Sequence, residues 1–550
     1  MAYTSIFALC VLKLSLLVSG ASHDSASIIP GPARCQALAS DLQFPNSSVV
    51  VVEYHQDQAT LTLPDVAASC GVVPGTINAT ADLCRVVLDI NTTSTSSVIV
   101  EGWLPTTWNS RLVGTGGGGI SGCIDYATLM YTTNLGFASF GTNAGHNGSS
   151  GYELFIDQPE VKNDYGWRGV HTQALAATYV VQTYYGNNAS KKYYVGCSTG
   201  GRQGITEALK FPDDFDGILA GSPGVNWYNI VAAYALNARK AGWPAINSSS
   251  YVTAAQWGAI TQAQIDLYDG LDGVNDTIID QPYMYQFDPN VLRCGGGILN
   301  DSVCLTPSQI NGVEAVFQPI TNSTGQLAMP AWGLGSSTAA WSTNVVNGTA
   351  ELPTIITDVF RGLIYDNASW SPDDFSLADL DYAARVNPGE VETSETDLSD
   401  FYARGGKLLS YQGGYDNAAP FELNMWYYNR VGATLNMTAQ ELQSFYRLIF
   451  VNGMYHCTGG PGAWNIGQVG PLPSNLNSTN NSVLLSLVAW VENGQAPKSI
   501  VGSLLADNGT VLNQRTHCVY PAISKWDKQG PTSLASSWQC VDACESGLAC

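Results

Sequence analysis

From about Ser48 onward the chain alternates short apolar runs with turn-forming residues: VVVVEYH, ATLTL, CRVVLDI and SVIVEGWLP. Short runs rich in Val, Ile and aromatic residues, bounded by Gly, Asn, Ser and Pro, predict strands of a mixed or antiparallel sheet edge. RLVGTGGGG predicts a strand ending in a glycine cluster, and GFASFGTNAGHNG a strand that runs into a Gly/Asn-rich loop. The apolar spacing switches to the helical period in WRGVHTQALAATYVVQTYYG, which stops at Gly186, and KKYYVG predicts a strand immediately before Cys197. Strand, helix, strand in this order predicts a parallel sheet with covering helices, the α/β class. GRQGITEALKF continues as a helix and FDGILAGSPG as a strand with a turn.

Beyond Asn226 the rhythm is lost. Residues 227–380 are rich in Asn, Ser, Gly and Pro and show no clear alternation of strand and helix. They predict a lid inserted between two parts of one sheet domain, 21–226 and 381–550. The rhythm returns with the strand KLLSYQGG, the helical TAQELQSFY and the strand RLIFV, then a helix-like NNSVLLSLVAWVENG and a cysteine-rich tail. No repeat in the roughly 20–50-residue range of solenoids and propellers is present.

Composition adds a compartment. Residues 1–20 hold an apolar run broken by Lys13 and end in small residues, the pattern of a secretory signal. The run is too short and interrupted for a membrane anchor, and no later segment approaches the length of an apolar span. Apart from Cys10 in that segment, the thirteen cysteines leave an even set, which in a secreted chain points to disulfides. Zinc bound by these cysteines is disfavoured, because there is no Cys-x-x-Cys pair and no His at ligand spacing. About fifteen Asn-x-Ser/Thr sequons, among them Asn46, Asn188 and Asn436, agree with an extracellular glycoprotein. A net charge of -22, without a long acidic block, disfavours nucleic acid and anionic membranes as partners.

Candidate chemistry lies in a repeated adjacency: Cys197 directly precedes Ser198, and His456 directly precedes Cys457. A disulfide between these cysteines would force Ser198 and His456 together, the relation a serine nucleophile and its general base require. Gly196-Cys197-Ser198-Thr199-Gly200 fits Gly-x-Ser-x-Gly between a predicted strand and a predicted helix, the context of a nucleophile elbow. A phosphate-binding loop is disfavoured, since the Lys-Ser/Thr that should follow is missing. Among the histidines, His23 is terminal, His55 lies in an edge strand, His171 in a helix and His517 in the tail. His146 precedes the serine in a loop and is a candidate for shaping the site. His456 follows a strand C-terminal to Ser198 and is the expected base. Asp416, in a loop after the strand LLSYQGG, is the expected carboxylate, whereas Asp397 and Asp400 precede that strand and read as helix caps. The order Ser198, Asp416, His456 is that of the α/β-hydrolase fold. The oxyanion hole is expected from the N–H of Thr199 and of a glycine in the 116–119 cluster, with Gly118 and Gly119 as candidates.

These residues resemble the CS-D-HC motif of the tannase and feruloyl esterase family. The resemblance extends through GTGGGG, TNAGHNG, DYGWRGVH, GCSTGGRQG, DGLDGVNDTIIDQP and HCVYP. It implies an α/β-hydrolase with a large lid, Ser198 as acylated nucleophile, Asp416 and His456 as relay, and a Cys197–Cys457 disulfide. It also implies the pairs Cys35–Cys84, Cys70–Cys123, Cys294–Cys304 and Cys518–Cys540, which leaves Cys544 with Cys550. A lid cysteine that many relatives carry is Tyr268 here, so one lid disulfide is expected to be absent. The alternating acids and glycines after Asp269 suit calcium. The resemblance implies the side chains of Asp269, Asp272 and Asp276 and the carbonyls of Val274 and Ile278 as ligands of a structural Ca2+ in the lid. The sequon at Asn275 falls inside this loop, so a glycan there would have to point outward. The implied function is a secreted serine esterase acting on feruloyl esters of plant cell-wall polysaccharide or on small phenolic esters. Galloyl-ester hydrolysis is the alternative within the class. A catalytically dead carbohydrate-binding or adhesion protein is the alternative outside it.

Overall fold

The computed structural model describes residues 29–71, 75–296, 303–336, 341, 343–468 and 470–543. Residues 1–20, Cys544 and Cys550 lie outside them. Among the described residues, one sheet is built from β1 (Ser47–His55), β2 (Leu83–Asn91), β3 (Ser97–Pro105), β4 (Arg111–Thr115), β5 (Ala138–Thr142), β6 (Lys191–Cys197), β7 (Gly217–Gly221), β8 (Lys407–Gly413) and β9 (Tyr446–Val451). Their spatial order is β1-β2-β3-β5-β4-β6-β7-β8-β9. The first three strands and β5 pair antiparallel, and from β5 to β9 every pairing is parallel. β7 reads as a continuous apolar run because both of its faces are covered, and each residue of β5 and β7 is buried, Ser139 and Thr142 included. This strand order and mixed edge, with helices on both faces, is the α/β-hydrolase fold anticipated from the sequence.

Strand alternation divides the interior into two cores. Tyr194, Ile218, Leu408 and Leu448 face one core, which also holds the buried sides of α1 (Gly169–Tyr185), α2 (Thr199–Lys210) and α3 (Trp227–Lys240). Tyr193, Val195, Leu219, Leu409 and Ile449 face the other, where Leu484, Leu487, Val488 and Trp490 arrive from the C-terminal helix 483–493. Helix α1 stops at Gly186, whose φ of 74° closes the helix in the left-handed region glycine favours.

The chain leaves the sheet at Gly221 and returns at Lys407. Between them lie α3, α4 (Ala254–Tyr268), α5 (Pro307–Val316) and α6 (Leu377–Val386), with short strand pairs. Both α4 and α5 open on capping boxes, Thr253 with Gln256 and Thr306 with Gln309. Helix α6 crosses the lid limit expected at residue 380 and packs on α3. Two local expectations differ from the structure. ATLTL supplies Thr60–Thr62 to a separate ribbon with Thr76–Asn78, because only Leu61 of that strand is buried. TAQELQSFY forms one turn, Ala439–Leu442, before Tyr446 enters β9; the longer helix of this region is α7 (Phe421–Thr434).

Among the described residues five disulfides are present: Cys35–Cys84, Cys70–Cys123, Cys197–Cys457, Cys294–Cys304 and Cys518–Cys540. All five are the pairs the family resemblance implies. Tyr268 stacks on Tyr285 at 5.1 Å and donates its O–H to the Gln286 carbonyl at 2.6 Å.

Candidate active site

Ser198 sits at the turn between β6 and α2 with φ 63° and ψ -121°, a conformation sparsely populated for any residue with a Cβ. The small residues around it are required sterically. A Cβ on Gly196 would lie 2.6 Å from the Gly200 backbone, and one on Gly201 would lie 2.4 Å from the Gly221 carbonyl oxygen. The turn is pinned by the Ser198 N–H, which donates to Gly221 O at 2.9 Å, and by the Gly224 N–H, which donates to Ser198 O at 3.1 Å.

Asp416 follows β8 and is 1% exposed. Both its oxygens lie 2.9 Å from His456 Nδ1. Oδ1 also accepts the N–H groups of Ala418 and Ala419, and Oδ2 accepts Gln412 Nε2–H, each at 2.9 Å. This fixes the His456 tautomer: Nδ1 donates to Asp416, leaving Nε2 as the acceptor. Burial lowers the His456 pKa, but the charge and hydrogen bond of Asp416 outweigh it, and the net shift is upward. The Cys197–Cys457 disulfide, with Cα atoms 6.0 Å apart, joins the neighbours of Ser198 and His456 directly.

Ser198 and His456 line one cleft of about 320 Å³ together with Gly119, Trp227, Ile230, Val231, Tyr234, Pro353 and Ile355. Gly119, at φ 57°, is held by its carbonyl, which accepts Tyr165 O–H at 2.7 Å and Thr199 Oγ1–H at 2.8 Å. Trp227 Nε1–H donates to the same Thr199 hydroxyl at 3.1 Å. Of the two glycine candidates, Gly119 borders the cleft, whereas the Gly118 carbonyl accepts the Ser121 N–H in the turn behind it. The Thr199 N–H belongs to the first turn of α2, which has no intrahelical acceptor for it. His146 is buried and donates Nε2–H to Ile120 O at 2.7 Å, so it braces the glycine loop. His171 and His517 bond elsewhere, to Asp214 and to Ala463 O, and burial pushes His517 down to about 4.

The acidic loop lies closer to this centre than its sequence distance suggests. Asp269 Oδ1 accepts the N–H groups of Asp276 and Ile278, and Asp272 Oδ1 accepts the Val274 N–H. Tyr415, beside Asp416, donates to Thr277 O at 3.0 Å and accepts the Ile279 N–H. Asp280 accepts the Asn452 amide at the end of β9 and ion-pairs with Arg515. Burial, with the neighbouring Asp280 charge, pushes Asp272 up to about 7; burial pushes Asp276 up to about 6 against the pull of Arg515. Asp272 Oδ2 is buried without a hydrogen-bond partner. A buried carboxylate oxygen without a partner, in a loop of hard oxygen donors, fits a calcium ion, although Asp269, Asp272 and Asp276 do not gather into one tight carboxylate cluster in this structure. Asn275, the sequon residue of this loop, is exposed.

Ser198, Asp416, His456, Thr199 and Gly119 therefore converge, and Asp269, Asp272, Val274, Asp276 and Ile278 form a separate loop. Sequence reasoning missed the apolar wall of α3, Gln412 behind Asp416, and Asp280 and Arg515 beside the acidic loop. Only the apolar face of α3 carried a readable signal.

Comparison with known proteins gives the family and the fold. The sequence model of one family, described as tannase and feruloyl esterase, matches residues 84–541. A relative from Aspergillus oryzae named "Probable feruloyl esterase B-2" is 36% identical over 511 residues, covering 92% of this chain and 95% of that protein. One of the same name from Neosartorya fischeri is 35% identical over 537 residues, covering 96% of this chain and 100% of that protein. The crystal structure of feruloyl esterase B from Aspergillus oryzae matches with a TM-score of 0.87 and 34% identity, over 93% of this chain and 100% of that one. Tannin acyl hydrolase from Aspergillus niger shares the fold, with a TM-score of 0.73 at 19% identity over 93% of this chain and 95% of that one.

Proposed function

The chain belongs to the tannase and feruloyl esterase family, and on that premise we propose that it is a secreted serine esterase that hydrolyses feruloyl and related hydroxycinnamoyl esters. The observation that carries this reading is the shared cleft of Ser198 and His456, with Asp416 buried behind the imidazole. Ser198 Oγ attacks the ester carbonyl carbon while its proton passes to His456 Nε2. The oxyanion is held by the N–H groups of Thr199 and Gly119. Collapse breaks the C–O bond, and the Nε2 proton leaves with the alcohol. Water then attacks the acyl-enzyme, giving a proton to the same nitrogen; collapse breaks the Ser198 Oγ–acyl bond, the Nε2 proton returns to Ser198 Oγ, and the hydroxycinnamic acid is released. Asp416 orients the ring and stabilises its cationic form throughout.

The cleft favours a methoxylated cinnamoyl group over a galloyl one. The polar atoms of its aromatic walls are already engaged: Trp227 Nε1–H donates to Thr199 and Tyr234 O–H to Ala418 O at 2.7 Å. Ile230, Val231, Pro353 and Ile355 offer apolar surface alone, and Asn417 adds one polar side chain to the wall. A gallate ring would bring three hydroxyls to that surface and strip them of water, at about 1–3 kcal/mol for each one left unpaired. Asp269, Asp272 and Asp276, with the carbonyls of Val274 and Ile278, would hold calcium. The ion would supply charge neutralisation that ties the insertion to Tyr415 and Asn452. Secretion and glycosylation accord with the disulfides and the sequons.

Parallel kcat/KM measurements on methyl ferulate, methyl p-coumarate, methyl caffeate and methyl gallate test the reading. Ferulate or p-coumarate should be preferred over gallate by at least about tenfold, equivalent to one unpaired hydroxyl. A preference for gallate would overturn it.

A further inference from the structure

We propose that His171, Glu207 and Asp214 form a second metal site, distinct from the acidic loop, that takes a divalent transition ion such as Zn2+. The three residues come from separate elements: His171 from α1, Glu207 from α2 and Asp214 from the loop leading into β7. One ligand atom from each lies within 4.8 Å of the other two. Glu207 is 1% exposed, and both its carboxylate oxygens are buried without a hydrogen-bond partner. Asp214 is also buried, with Oδ2 2.7 Å from His171 Nδ1. The Phe211 ring stacks on the imidazole at 3.7 Å and 12°, which restricts its rotation.

Two carboxylates buried side by side are costly unless something positive lies between them. Lys192 interacts with Asp214, but its ammonium donates to Asp213 O and leaves Glu207 uncompensated. The local choices are a proton shared by Glu207 and Asp214 or a metal ion bound by both. Burial and the Asp214 charge push Glu207 well above the ordinary carboxylate range, which describes the pair without an ion. The His171 Nδ1 bond reaches Asp214 and not Glu207, so the imidazole leaves Glu207 unpartnered while adding a nitrogen donor that favours the metal. One histidine with two carboxylates is a common donor set for zinc and neighbouring transition ions, whereas calcium takes oxygen ligands. By helix rise Glu207 lies about 13 Å along α2 from Ser198. The ion would therefore brace the nucleophile helix against α1 and would not take part in the ester chemistry.

The test is metal stoichiometry on the full-length protein, stripped with chelator and then held in saturating Ca2+ so that the acidic loop is filled. Zn2+ is added and followed by calorimetry and by elemental analysis after desalting. The wild type should bind one Zn2+ and unfold at a higher temperature with it. Glu207→Gln should weaken binding by more than about 100-fold, beyond the loss typical of an outer-shell partner. His171→Gln, at a partly exposed position, should do the same if Glu207→Gln fails to fold, and Asp272→Asn should leave Zn2+ binding intact. Absence of Zn2+ binding in the wild type, or equal binding in both site variants, would overturn the proposal in favour of a shared proton. No readout depends on esterase activity, so this outcome is separate from that of the proposed reaction.

Discussion

His456 carries opposing influences that make its titration informative. Burial disfavours its cation, and the Asp416 charge and hydrogen bond favour it more. The general base must be neutral, so the acid limb of kcat/KM should have its midpoint above the ordinary histidine value of about 6.5. In Asp416→Asn the raising contributions vanish while burial remains, so the midpoint should move below that value. The same substitution removes the acceptor that fixes the tautomer, and kcat should fall by about 10⁴-fold. A pH–rate profile of both proteins checks the sign, and an unmoved acid limb would contradict the assignment of His456. Ser198 and His456 were legible because cysteines mark both, and Asp416 because it follows a short apolar strand. Gln412 was not: it is one of three polar residues in β8, with Lys407 and Ser410, and only the fold turns its amide toward Asp416 Oδ2 and Ala419 O.

At the scale of elements, the β6–α2 turn depends on how closely α2 approaches β7. A methyl group on Gly201 would meet backbone atoms, Gly221 O at 2.4 Å and Pro223 Cα at 2.9 Å, neither of which can rotate away. Gly201→Ala should cost about 1–3 kcal/mol, seen as a lower urea midpoint with an unchanged slope. The central strands were readable because burial on both faces gives each a short apolar stretch, such as YYV in β6 and GILAG in β7. The insertion was less so. Helices α4 and α5 begin at Thr-x-x-Gln capping boxes that sequence inspection can find, yet they are surrounded by Gly, Asn and Pro. Helix α7 has aromatic and polar residues mixed around its circumference, which blurs its period. The His171, Glu207 and Asp214 cluster left no sequence pattern at all, because its members meet only when α1, α2 and the loop before β7 pack.

Across the whole molecule, two long-range ties converge on the centre. The Cys197–Cys457 bond spans a sequence separation of 260, worth about 5 kcal/mol as an upper figure from loop-closure entropy. Replacing both cysteines by alanine should lower thermal stability and reduce kcat more than it raises KM, because substrate contacts remain while the Ser198–His456 geometry loosens. The acidic loop supplies the other tie through Tyr415 and Asn452. Chelation with EDTA should therefore lower both the unfolding temperature and activity, and added Ca2+ should restore them. Indifference of both to EDTA would remove calcium from the account. The central claim is that Ser198 is the nucleophile of a working esterase, and covalent labelling by an organophosphate addresses it most directly. Peptide mass spectrometry should find a single phosphoryl adduct on Ser198 together with loss of ester hydrolysis, and slow labelling in His456→Ala. Correctly folded protein that stays unlabelled at Ser198 would contradict it.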